Sequence, residues 1–317
     1  MTKRIRRIIF YIFVAIFLVL TPCIILYALG YAVDFKNKAI VETGGIYLKS
    51  IPSGAEIYVN YNPEGKTNKF VKRIMPKIYD VEIAKEGYNH WQKKLTVDPG
   101  RVTKVSDILL IPSNPKISLM ATTSEEYALF ENKKDNLYFT ANNILYSSRT
   151  SKILARNVIN YVIYKNGIIY LDNVTGKIFE LDLTTLKSTQ MFDQVFPSLN
   201  QGKWILSDNN KKLLCQKDKS VEILWLDNVN DNSILRKKGD IEKIDFEQKI
   251  NDVIWYPKTD EHLIVATDNS IIVTELDNRP PRNTINFIAT ENPQIKYDAG
   301  KKILYFLSQN KLYQTEL

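Results

Sequence analysis

From Ile8 through Val33 the chain runs 26 residues without a single charge. A soluble helix shows a polar face within its first two turns, whereas a membrane-crossing helix needs about 20 consecutive apolar residues. Lys3, Arg4, Arg6 and Arg7 stand ahead of the run, and Asp34, Lys36 and Lys38 follow it. The positive-inside bias therefore predicts a cytoplasmic tail over residues 1–7, a transmembrane helix over 8–33, and everything beyond about residue 34 outside the cytoplasm. A cleaved signal peptide is the alternative, with small residues at Ala28-Leu29-Gly30. The run exceeds the usual apolar region of about 7 to 15 residues, which favours retention. Leu20-Thr21-Pro22-Cys23 is similar to a lipoprotein attachment site, but proline is a poor neighbour for the acceptor cysteine and ten further apolar residues follow. Pro22 is instead expected to kink the helix, which membranes tolerate. Tyr27 and Tyr31 are placed at the outer interface, where amphipathic rings are favoured.

After a linker over 34–43, residues 44–112 alternate in the manner of half-buried strands: Ile46 and Leu48, then Ala55, Ile57 and Val59, then Tyr79, Val81 and Ile83. Leu95 and Val97, then Val105, Ile108 and Leu110, continue the pattern. Turn residues separate these runs at Pro52-Ser53-Gly54, Asn62-Pro63-Glu64-Gly65, Met75-Pro76-Lys77, Glu86-Gly87 and Asp98-Pro99-Gly100. Five or six short strands in about 70 residues predict a small β-sandwich.

These residues resemble a PEGA domain. The Pro-x-Gly-Ala core stands as Pro52, Gly54 and Ala55, and the G-x-T turn as Gly65 and Thr67. The Pro-x-x-Tyr-x-Val pattern is Pro76, Tyr79 and Val81, and Lys-x-Gly-Tyr is Lys85, Gly87 and Tyr88. Asn68 and Lys77 replace a proline and a glycine common in the family, departures that bear on turns. The resemblance implies a non-catalytic, surface-exposed β module of bacteria and archaea, often near a membrane anchor. It brings no active-site residue.

Beyond Ile111-Pro112-Ser113-Asn114-Pro115, a pair of strands joined by a polar turn recurs over 113–317. The pairs open at Leu137, Ile168, Leu213, Leu263 and Ile303, a mean step of about 42 residues, close to the 40–45 of a four-stranded propeller blade. Preceding strands are expected at 127–130, 161–164, 204–206, 253–256 and 295–297, and fourth strands at 152–156, 188–192, 234–237 and 285–288. The last unit lacks a fourth strand of its own, and Lys116 to Ala121 is predicted to supply it, joining the ends of the ring and covering exposed edges. Trp255-Tyr256-Pro257-Lys258-Thr259-Asp260 is similar to the turn that closes many inner blade strands. No blade carries a Trp-Asp signature. The fold class is thus all-β with one N-terminal transmembrane helix: a PEGA-like sandwich, then a five-bladed β-propeller. An irregular sandwich with accidental spacing is the alternative.

No reaction is named by these residues. His90 and His262 fall in different predicted domains, so a histidine metal site is not expected, and no cofactor is implied. Cys215 lies in an apolar strand as a buried thiol, and two cysteines are too few for a disulfide framework. Phosphate-loop, nucleophile-elbow and metalloprotease motifs are absent. Asp172, Asp208 and Asp268 read as turn residues, and Asn173-Val174-Thr175 as a chance glycosylation tripeptide. Tyr161, Tyr164, Tyr170, Tyr305 and Tyr313 offer a sugar-binding surface or, on the plainer reading, strand packing.

The formal charge of +8 suggests nucleic acid until it is located. Residues 1–7 carry +4, residues 34–113 another +4, and residues 114–317 carry 26 basic and 26 acidic groups. The expected role is a single-pass membrane protein presenting its propeller to an envelope protein or glycan, not an enzyme and not a nucleic-acid binder. A polysaccharide-acting enzyme and an accessory receptor subunit are the alternatives.

Overall fold

The computed structural model describes residues 3–35, 37–120, 130 and 137–317, and the chain divides into two compact units. The first holds the chain up to Leu110 except Gly87–Asn89, together with Arg279–Pro281; the second holds Gly87–Asn89, Ile111–Asn278 and Arg282–Leu317.

In the first unit Lys3–Ala28 form one helix with no buried side chain, long and apolar enough to cross a membrane. It stops short of the expected 8–33. Gly30 takes a φ of +89°, the left-handed conformation that ends helices, and Tyr31–Asp34 turn back against Ala39–Glu42 as an antiparallel hairpin. Apolarity alone does not separate helix from strand, so Tyr31, Ala32 and Val33 read as membrane helix, and Ala39–Glu42 as linker. Lys36 lies outside the described residues.

Two sheets follow. Gly44–Ile51 lies between antiparallel Lys69–Ile74 and parallel Val102–Leu109. Glu56–Val59 lies between Asn62–Lys66 and Ile78–Ala84, with Trp91–Thr96 outermost. Ile46, Leu48, Ile57, Ile83, Leu95 and Val105 are buried as their alternation requires. Full burial of each contributes about 1.5–3 kcal/mol. Seven strands therefore replace the expected five or six. The Asn62-Pro63-Glu64-Gly65 segment is a strand rather than a turn: the reversal comes at Asn60 and Tyr61, both with positive φ. Proline is tolerated there because the strand is an edge, and the pairing shifts register between Ile57 and Tyr58, the irregularity that a glycine such as Gly65 accommodates.

In the second unit the described residues form five blade sheets in succession and one two-stranded hairpin. Tyr138–Ala141, Ile144–Ser147 and Ile153–Arg156 form the described part of blade 1. The strand expected at 127–130 lies outside the described residues apart from Phe130. Blade 2 is Val158–Tyr164, Gly167–Asp172, Ile178–Asp182 and Ser188–Gln190. Blade 3 is Lys203–Leu206, Lys212–Gln216, Ser220–Trp225 and Ile241–Asp245. Blade 4 is Ile250–Trp255, His262–Thr267, Ser270–Glu275 and Thr284–Ala289. Blade 5 is Gln294–Asp298, Ile303–Ser308 and Lys311–Glu316, completed by Ser118–Leu119, which pair with Gln314 and Tyr313. The chain from just after the first unit thus fills the open edge of the last blade, as a propeller requires.

The blades pack face to face, and this explains their nearly continuous apolar strands. Successive side chains serve opposite neighbours. Ile168 joins the blade 1 residues Leu145 and Ala155, while Ile169 joins Trp204 and Leu213 of blade 3. Leu213 in turn faces blade 2 while Leu214 meets Val253 and Leu263 of blade 4. One correction concerns blade 3. Ile234–Arg236 is not its fourth strand but half of an inserted hairpin with Val229–Asp231, turned at Asn232 and Ser233, both at positive φ. The fourth strand is Ile241–Asp245, whose charged alternation hides it.

Candidate functional site

Four of the PEGA motif residues, Gly54, Ala55, Thr67 and Lys85, meet at one turn. Gly54, at φ +76°, donates its amide to the Thr67 carbonyl (3.2 Å), and the amides of Thr67 and Ala55 answer across the same pair: Thr67 to the Ala55 carbonyl (2.8 Å), Ala55 to Thr67 Oγ1 (3.1 Å). Ser50 Oγ lies 2.7 Å from Thr67 Oγ1 and donates to the Pro52 carbonyl, and Lys85 Nζ donates to the Ser53 carbonyl at 2.7 Å. Tyr79 and Val81 are buried, with the Tyr79 hydroxyl donating to the Met75 carbonyl just ahead of Pro76. Gly65 sits beside Lys69, and Gly87 and Tyr88 belong to the second unit, where they pair with Ser113 and Pro112. Every one of these contacts is architectural.

The histidines stay apart in chemistry as well as in unit. His90 Nδ1 lies 2.7 Å from Glu82 Oε1 on an exposed surface, and buried His262 faces Thr259. Cys215 is buried; burial pushes its thiol up to about 11, and its Sγ donates to the Gln201 carbonyl. Among the described residues no group of three His, Cys, Asp or Glu is arranged to hold a metal. Tyr164, Tyr170 and Tyr305 are buried, the Tyr161 hydroxyl donates to the Tyr138 carbonyl, and Tyr313 stacks on Phe306 with centroids 5.0 Å apart. All five tyrosines thus make packing or hydrogen-bond contacts within the blades, with Tyr161 and Tyr313 half-buried. Asp172 Oδ1 accepts from the amides of Val174 and Thr175 and from the Thr175 hydroxyl, so the Asn173-Val174-Thr175 tripeptide is a side-chain-closed turn.

The strongest concentration of buried charge was not legible in the sequence. It lies at the end of blades 3 and 4 that carries their first hairpin turns and the inserted hairpin. Lys212, 1% exposed, donates to the Asp260 carbonyl at 2.9 Å and pairs with Glu261. The Asp260 carboxylate accepts from the amides of Asp208 (3.0 Å) and Asn209 (3.2 Å), clasping the turn of blade 3 to that of blade 4. Glu242 bridges Arg236 of the hairpin (2.6 Å) and Arg282 of blade 4, and the Arg236 guanidinium lies 5.2 Å from the Trp225 ring. Glu275 accepts from the amide and side chain of Asn283. These groups come from positions about 5 to 50 residues apart, spacing that carries no motif. Each carboxylate is engaged by a cation or by amides, an arrangement suited to holding loops rigidly. On the second strand of the hairpin Leu235, opposite Asn230, is 62% exposed.

Residues 43–110 match the PEGA domain family. No curated protein matches the chain. Among solved structures, the chain is similar over 90% of its length to the extracellular domain of a B. thetaiotaomicron protein described as a hybrid two-component system, at 8% identity and a TM-score of 0.35. It covers 31% of that structure, about a third of its length. It is also similar to the β-propeller domain of Cps50 (Swd1) of Myceliophteria thermophila, at 12% identity and a TM-score of 0.37, over 81% of this chain and 87% of that one. These superpositions are loose, and the blade assignment rests on the strand pairing described above.

Proposed function

We propose that the protein is a membrane-anchored binding or scaffolding component of a prokaryotic cell envelope, with residues beyond the helix outside the cytoplasm. The carrying observation is the inserted hairpin of blade 3, held by Glu242 between Arg236 and Arg282 while Leu235 stays exposed. A rigid blade end that presents an exposed apolar side chain is suited to recognition, because little ordering is left to be done on binding. The PEGA domain beside an apolar helix supports an envelope location, and Lys3, Arg4, Arg6 and Arg7 support the orientation. We assign no catalysis: the carboxylates at this end serve as ion-pair and hydrogen-bond acceptors. The partner is an envelope protein or glycan.

The test is cross-linking of the full chain in intact cells, followed by purification with protein and glycan detection. An envelope partner enriched over a control membrane protein, and lost severalfold in Leu235→Asp, is expected. Absence of enrichment, or equal enrichment in both chains, contradicts the reading.

A further inference from the structure

The foot of the helix forms a second, separate site. Ile8 to Ala28 is 21 residues, about 31 Å of helix at 1.5 Å per residue, which matches a hydrocarbon core about 30 Å thick. Tyr27, Gly30 and the Tyr31–Glu42 hairpin then fall at the level of the headgroups. Around them a cavity of about 520 Å³ opens between the last helical turns, the hairpin and Arg73, lined by Leu26, Tyr27, Tyr31, Phe35, Ile40 and Arg73. Its apolar wall is unusually bare: Phe35 is 87% exposed at the hairpin turn, Tyr27 63% and Ile40 57%. Such a surface, continuous with a helix long and apolar enough to cross a membrane, is suited to contact with lipid. The Asn37 amide and side chain donate to the Asp34 carboxylate and fix the turn that projects Phe35.

Among the described residues one cation lines this cavity. Arg73, at φ +56°, places its guanidinium 3.7 Å from the centroid of the Tyr27 ring. No carboxylate among the described residues pairs with it. From Lys66 to Lys77 the chain carries five basic residues and no acidic one. Guanidinium, with its planar fork of donors, suits a phosphodiester.

We propose that this cavity binds an anionic phospholipid of the leaflet into which the helix emerges. Arg73 holds the phosphate, and Tyr27, Phe35 and Ile40 cover the upper acyl chain. The site rests on the proposed retention of the helix, which the intact mass of the membrane-extracted chain reports separately, and it does not depend on the propeller's partner.

The experiment uses the full chain reconstituted into nanodiscs of phosphatidylcholine with a minor share of phosphatidylglycerol, then native mass spectrometry of the lipid retained on release. Phosphatidylglycerol retained in preference to phosphatidylcholine is expected, with the preference reduced about fivefold in Arg73→Gln, the effect of one basic group near a membrane surface. Inorganic phosphate added in excess is expected to leave retention unchanged, because the acyl contacts are missing. Equal retention of the two lipids, an unaltered preference in a folded Arg73→Gln, or displacement by inorganic phosphate overturns the assignment. A Phe35→Trp chain gives an independent reading: its added fluorescence is quenched by brominated phosphatidylglycerol, and a signal quenched only by aqueous iodide counts against the site.

Discussion

Thr43 donates twice to one acceptor: its amide lies 2.9 Å and its hydroxyl 2.6 Å from the Gly30 carbonyl. The bond pair closes the hairpin onto the helix end, so that Gly44–Ile51, the central strand of the first sheet, begins one residue after the anchor's last fixed point. The Gly30 carbonyl, two residues beyond the end of the helix, thus finds its donors one step past the Tyr31 and Glu42 pair of the hairpin. Thr43→Val removes the hydroxyl bond at a cost of about 1 kcal/mol. Amide exchange should quicken across Tyr31–Glu42 while that of Lys311–Glu316 stays unchanged.

Thr67 is buried and serves Ala55 and Ser50 together. Replacement by valine keeps the shape but strands the buried Ala55 amide, at a cost of about 1–3 kcal/mol, while the Ser50 hydroxyl keeps its bond to the Pro52 carbonyl. The first unit of Thr67→Val should therefore unfold at lower denaturant than the wild type, followed by the fluorescence of buried Trp91.

Among the described residues the closing strand of the propeller ends with the bond from the Met120 amide to the Leu312 carbonyl at 2.9 Å. Met120→Pro deletes that donor. Exchange at Lys311–Glu316 should accelerate, with blade 3 at Ser220–Trp225 remaining protected; protection retained throughout would mean that Ser118–Leu119 contribute nothing to closure.

Alkaline pH should weaken the second unit. Burial raises Cys215 from the usual 9.0 to about 11 and Tyr256 from 10.0 to about 12. A group whose folded value is raised adds stability below its unfolded value and loses it as pH climbs toward the folded one. The urea midpoint should hold to about pH 9 and then fall between pH 9 and 12, and Cys215→Ala should flatten the first part of that fall.

Much of this architecture could be read from spacing. The paired strands at Ile168, Leu213, Leu263 and Ile303 are apolar on both faces, and the turn at Pro52 to Ala55 needs residues of fixed φ, so each leaves a plain local signal. Other elements compete with stronger cues. Pro63 and Gly65 signal a turn, yet an edge strand tolerates both; Lys69, Lys72 and Arg73 obscure the alternation of Lys69–Ile74; Ile241 and Ile244 are too sparse to outbid Ile234-Leu235 as a fourth strand. The Lys212, Glu261 and Asp260 clasp and the Glu242 bridge were not legible at all, because only the stacking of blades 3 and 4 brings such distant residues together.

The most direct test concerns where the propeller lies. Val174 is 75% exposed on blade 2, whereas Cys215 is buried and Cys23 sits in the apolar helix. In intact cells or spheroplasts a membrane-impermeant maleimide should label the Val174→Cys chain and leave the parent chain unlabelled. Labelling of Val174→Cys only after lysis would place the propeller in the cytoplasm and contradict the envelope role.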